Sequence, residues 1–209
     1  FLGEVHAATS GDTALAARFA NDEMRRLHGE HIFVLPLRPN EFPVAPAVRA
    51  RAEALWKNEA LIAVADAAYA RYLEPRGVLV HGDVQAGNVL LGRTGPRLLD
   101  AEIAHVGDPA FDLGMLLAHL AAWPIARGAF AAAAPCLQAT WNAYTIAWSK
   151  RMDTAALGAD AIRYAGLELL RRTLGAARIP ATATASGSQR VLDVALRWIS
   201  EGKTFDQAL

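Results

Sequence analysis

Val80-His81-Gly82-Asp83-Val84-Gln85-Ala86-Gly87-Asn88-Val89-Leu90-Leu91 runs from one apolar triplet to another through a polar loop. Asp83 follows a short strand-like run, Val78 to Val80. Asn88 comes five positions later, directly before a second run, Val89 to Leu91. A third run, Arg97-Leu98-Leu99, ends on Asp100. Gly92, Gly95 and Pro96 punctuate the last two runs and predict a hairpin. A hairpin brings its two ends together, so Asn88 and Asp100 are expected to share one small volume. An amide oxygen and a carboxylate are hard ligands of the kind that Mg²⁺ takes. Asp83 beside them is placed to accept a proton from a hydroxyl.

Outward from this ribbon the chain reads as helical. Phe1, Leu2 and Val5 fall on one helical face, with Ser10-Gly11 as a stop. Asp12 caps an expected helix through His28. Ile32 to Leu37 is a short apolar run, and the four prolines between Pro36 and Pro46 predict irregular chain. A helix is expected from Val48 to Leu73, ended by Pro75 and Gly77. Beyond Asp100, Phe111 to Trp123 is apolar nearly all round and should be central. Leu137 to Trp148, Asp160 to Ala177 and Val191 to Glu201 complete the set, with Ala181 to Ser188 expected as a mobile loop. The expected class is α+β, mainly helical, with a small β-ribbon carrying the polar loops in one domain spanning 1–209.

Composition narrows the function classes. Hydrophobic residues make up 53% of the 209 residues, which excludes intrinsic disorder. Lys+Arg and Asp+Glu both number 21, so no basic footprint for nucleic acid or anionic lipid exists. The five tryptophans have no interleaved basic residues, which argues against a base-stacking platform. Gly128 to Ser149 is uncharged but carries Pro135, Gln138 and Asn142, and reads as buried helix rather than a membrane span. Cys136, the single cysteine, permits no intrachain disulfide, fits a cytoplasmic location and is expected as an inert core thiol. His6, His28, His31, His105 and His119 show no metal-ligand spacing. The chain starts with Phe1 and no signal segment follows, so it is expected to be a piece of a longer protein.

His81-x-Asp83-x-x-x-x-Asn88, followed by Asp100, has the spacing of a kinase catalytic loop and its downstream metal-binding Asp. Together with Gly107-Asp108-Pro109-Ala110-Phe111-Asp112-Leu113, the stretch resembles the aminoglycoside phosphotransferase and choline kinase-like superfamily of small-molecule kinases. His31-Ile32-Phe33 and Glu168 to Ala177 resemble its methylthioribose kinase-like branch, which usually carries Ser where this chain has Asn88. The resemblance implies a protein-kinase-like C-lobe, with ATP and Mg²⁺ as cofactors and a small-molecule acceptor. It implies Asp83 as catalytic base, Asn88 and Asp100 as Mg²⁺ ligands, and Glu102 as an acidic group that helps the metal or orients substrate. His81 is expected as a buried loop brace. Asp112 is either an N-terminal helix charge or a brace of the catalytic loop.

Such kinases also need a Gly-rich phosphate loop and a strand Lys. No G-x-G-x-x-G occurs and no Lys precedes Lys57, so the N-lobe is expected to be absent from this chain. Its bare docking face would favour self-association as a homodimer. A non-catalytic pseudokinase or binding module on the same lobe is the competing expectation. Arg171 and Arg172 carry two readings. They form a solvated helix face paired to Glu168 at helical spacing, or one of them points into the cleft toward the acceptor.

Overall fold

The computed structural model describes residues 1–75, 77–93, 95–148, 153–202 and 204–208. Three helices form the hydrophobic centre. α6 (Pro109–Ala126) packs along α8 (Thr154–Leu174), and α8 packs in turn against α9 (Ala185–Ser200). Small residues let them approach closely. A Cβ on Gly114 would stand 2.6 Å from the Ala161 carbonyl, and one on Gly166 would stand 2.8 Å from the Ala195 carbonyl. α6 begins where Asp108 accepts the Ala110 N–H at 3.0 Å and Pro109 supplies a preset φ. It is long and apolar enough to cross a membrane by length and composition, yet most of it is buried inside the fold.

Around this centre lie α1 (Leu2–Thr9), α2 (Thr13–Arg18), α3 (Asp22–Gly29), α4 (Arg49–Leu55), α5 (Glu59–Tyr72), α7 (Ala134–Trp148) and the short α10 (Phe205–Ala208). Among the described residues four short strands form two antiparallel pairs. β1 (Val78–Val80) pairs with β4 (His105–Gly107), Val80 opposite His105. β2 (Val89–Gly92) and β3 (Gly95–Leu98) form the hairpin, Val89 opposite Leu98. The β2–β3 hairpin is nested between β1 and β4 in sequence. Closing β1 on β4 therefore brings the loop after β1 and the loop after β3 together.

Several expectations are corrected. The helix expected from Asp12 to His28 is two helices, because Asn21 sits in the left-handed region at φ 44° and turns the chain between them. The helix expected from Val48 to Leu73 is also two, since Asn58 caps α5 by accepting the Leu61 N–H. Ala181 to Ser188 is a 3₁₀ turn at Pro180–Thr182 followed by the start of α9. Thr182 and Ser188 are both fully buried, and Thr182 donates its hydroxyl to the Arg172 carbonyl. Cys136 lies exposed on α7, not in the core. On α1 the buried side is Gly3 and His6, while Phe1 is exposed.

Candidate active site

The loop after β1 is held from behind by Asp112, which is completely buried in the first turn of α6. Its carboxylate accepts the backbone N–H of His81 at 2.7 Å and of Gly82 at 2.9 Å. His6 of α1 donates Nε2 to it at 3.2 Å, while His6 Nδ1 meets the Tyr144 hydroxyl at 2.7 Å. Burial opposes the charged form of Asp112, but these donors hold its carboxyl below the usual range. Gly82 has φ +87°, and a Cβ there would stand 2.8 Å from the Ile103 carbonyl, so the close approach of the two loops demands glycine.

His81 is half-buried rather than buried and spans the two loops. Its Nε2 donates to the Leu99 carbonyl at 3.0 Å, which leaves Nδ1 to accept the Asp83 N–H at 3.3 Å. The base of the hairpin closes with Leu99 N–H on the Asn88 carbonyl at 2.9 Å. Asp100, the next residue, is exposed and left-handed at φ 66°. The following turn carries Glu102, also exposed. Asn21 fastens that turn, donating Nδ2 to the carbonyls of Glu102 at 2.8 Å and Ala104 at 3.3 Å.

Asp83 and Asn88 are in direct contact. Asn88 Nδ2 donates to Asp83 Oδ2 at 2.9 Å and to the Asp83 carbonyl at 3.0 Å. The amide nitrogen is thereby committed, and Asn88 Oδ1 is the atom left for a cation. Gln85 Nε2 donates to the same Asp83 Oδ2 at 2.7 Å. Asn88 Oδ1 and the exposed Asp100 carboxylate, one residue beyond the Leu99–Asn88 bond, are hard-oxygen groups of the kind that could hold Mg²⁺, which takes one or two protein ligands and leaves the rest to phosphate and water. Among the described residues no group of three His, Cys, Asp or Glu side chains forms a self-sufficient cation cage.

Arg171 and Arg172 are neither solvated nor free. Both are buried on α8 around the fully buried Glu168. Arg171 Nη1 donates to Glu168 at 3.1 Å and meets His28 Nε2 at 3.3 Å. Arg172 donates Nε to Glu168, Nη1 to the Ala177 carbonyl at 2.8 Å and Nη2 to Gln85 Oε1 at 3.2 Å. His119 of α6 reaches Glu168 at 3.3 Å. Burial would push the Glu168 carboxyl up, but the two guanidinium groups and His119 hold it well below the usual range. Burial, reinforced by Arg171, pushes the His28 imidazole down to about 4.

Residues 1–153 match the phosphotransferase enzyme family. This chain belongs to that family. Similar proteins include the methylthioribose kinases of Geobacillus kaustophilus (strain HTA426), 25% identical over 185 residues, and of Bacillus velezensis, 27% identical over 183. The methylthioribose kinase of Enterobacter sp. (strain 638) is 28% identical over 195 residues. Each alignment covers 79% of this phosphotransferase-family chain and 47%, 46% and 49% of the relative respectively. The chain thus spans about half the length of the curated relatives it matches.

Sequence reasoning missed two residues of this site. Gln85 stands two positions from Asp83 across a tight turn, closed by the Gln85 N–H on the Asp83 carbonyl at 2.9 Å, which no local sequence signal announced. Asn21 carried a weak signal, as a turn-prone residue amid helical sequence. Nothing local to Asn21 points to a loop about eighty residues downstream.

Proposed function

We propose that this chain is the catalytic lobe of an ATP-dependent kinase that moves the γ-phosphoryl group to a hydroxyl of a small molecule. A sugar of the methylthioribose type is the first acceptor to test. Amino alcohols and aminoglycoside-like acceptors follow. The observation that supports this reading is the Asp83–Asn88 contact at 2.9 Å inside a loop anchored on the buried Asp112.

In this reading Asp83 accepts the proton of the acceptor hydroxyl as it attacks the γ-phosphorus. Both side-chain donors to Asp83 land on Oδ2, so Oδ1 is the oxygen free of protein donors among the described residues. Asn88 and Asp100 would hold Mg²⁺, and Glu102 would serve as a further acidic group for metal or substrate. Bound Mg²⁺ neutralises charge on the phosphate oxygens. His81 keeps the base loop and the metal loop in fixed register. Arg171 and Arg172 together outweigh Glu168, so α8 places net positive charge behind Asp83 and favours the anionic phosphoryl group. The phosphate-covering loop and strand Lys, which these residues lack, belong in this reading to an N-lobe outside this sequence.

The test is ADP release by the intact protein over a panel of sugars, amino alcohols and aminoglycosides. Asp83→Asn should lower kcat by about 10²–10⁴-fold with Mg-ATP binding kept. Asn88→Ala and Asp100→Ala should each raise the Mg²⁺ concentration for half-maximal rate. ATP binding without turnover on any acceptor supports the binding-module reading instead.

A further inference from the structure

Gln85 makes two bonds that only an amide in one orientation makes together. Its NH₂ donates to the Asp83 carboxylate at 2.7 Å, and its carbonyl accepts from the Arg172 guanidinium at 3.2 Å. Exchanging oxygen and nitrogen would set a carbonyl against a carboxylate and an NH₂ against a guanidinium, so its surroundings fix the amide. Behind it Arg172 is immobile, with Nε and Nη1 held by buried Glu168 and by the Ala177 carbonyl. The chain from α8 to Asp83 is therefore continuous, Glu168 to Arg172 to Gln85 to Oδ2. Its outer end meets a second donor to the same oxygen, Asn88 Nδ2 at 2.9 Å.

We infer that Gln85 is a positioning residue for phosphoryl transfer: it ties Asp83 Oδ2 to the buried Arg172 and so turns Oδ1 toward the acceptor hydroxyl. The inference rests on the proposed role of Asp83 as base. Without Gln85, Asp83 keeps Asn88 on Oδ2 but loses its link to the helical core, and its carboxylate regains rotation about χ2. Since Gln85 acts on the geometry of the base, its loss should appear in kcat. KM for ATP and for the acceptor should stay near wild type.

Two substitutions in the intact enzyme separate this role from a merely structural bridge. Gln85→Met keeps the length and removes both bonds. It should lower kcat about 10–100-fold, the scale of one lost hydrogen bond to a charged group, with both KM values within about twofold. Gln85→Glu keeps an acceptor for Arg172, so the bridge to α8 survives, but it sets an oxygen against Asp83 Oδ2 in place of a donor. If Gln85 positions the base, Gln85→Glu should lose at least as much kcat as Gln85→Met while melting no lower than Gln85→Met, because its bridge to Arg172 is kept. Near-wild-type kcat in either variant overturns the inference. Failure of the underlying reading is distinguishable, because Asp83→Asn would then retain turnover whatever the Gln85 variants do.

Discussion

Glu168→Gln is the sharpest perturbation that the buried network offers. The carboxylate is completely buried and takes Arg171 Nη1 at 3.1 Å, Arg172 Nε, and His119 Nε2 at 3.3 Å. Glutamine fits the same space but carries no charge, and its NH₂ must face one of those donors. Both guanidinium groups then remain buried without the carboxylate that offsets them. Removing one partner of a buried ion pair costs about 3–5 kcal/mol. With a urea m-value near ~2.5 kcal/mol/M, the unfolding midpoint should fall by about 1–2 M. Trp148 and Trp198 are buried in the fold and give a fluorescence signal for the transition. Replacing Glu168, Arg171 and Arg172 together by Met removes the charges along with their desolvation, and should recover most of that loss. It should leave kcat depressed, because Gln85 has lost its anchor. A Glu168→Gln midpoint within ~0.3 M of wild type would refute the reasoning, as would a triple-Met variant no more stable than the single one.

Three further outcomes are expected. Gly114→Ala should destabilise by roughly 1–2 kcal/mol in chemical denaturation: the new methyl meets the Ala161 carbonyl at 2.6 Å and Tyr164 Cβ at 2.7 Å, and this overpacking exceeds the gain in helix propensity. Stability should fall as pH drops from 6.5 toward 4, because burial holds both His28 and His105 down to about 4 while their unfolded forms titrate near 6.5. The unfolded chain binds more protons in that window, so each histidine removes roughly 3 kcal/mol across it. Glu168 adds the same sign below 4.5, and equal urea midpoints at pH 7.5 and 4.5 would contradict this. Asn21→Ala deletes two hydrogen bonds to the Glu102 and Ala104 carbonyls and leaves alanine in a left-handed conformation. It should raise the Mg²⁺ requirement of the intact enzyme more than Asn21→Gly, read from rate against Mg²⁺ concentration.

The β-ribbon was legible because its signals are local. Gly92, Gly95 and Pro96 set the hairpin, and the apolar runs on either side set its strands. The central helix was legible from a surface that is apolar nearly all round. The partner of β1 was not, since His105-Val106-Gly107 is too short and too mixed to announce a strand, and only long-range pairing makes it one. The breaks at Asn21 and Asn58 were missed because each interrupts an otherwise continuous helical pattern, where a single cap or left-handed residue outweighs propensity. For the site, the spacing from Asp83 to Asn88 to Asp100 was readable as a pattern. The environment of Arg171 and Arg172 was not. Helical periodicity shows which face a residue takes, but not that His28, some 143 residues away, and Gln85 come to meet it.

The Asp112 carboxylate gives the loop after β1 a lifetime that its own sequence does not. A loop amide in water exchanges its hydrogen whenever the segment frays. The amides of His81 and Gly82 are clasped by a carboxylate on the most buried helix. Their hydrogens can leave only when the first turn of α6 opens, and that opening uncovers the packed interior. The loop that presents Asp83 thus keeps the slow clock of the core while lying at the surface. Agents that loosen the helical centre, mild heat or urea among them, should therefore scramble the geometry around Asp83 together with the global transition and not ahead of it.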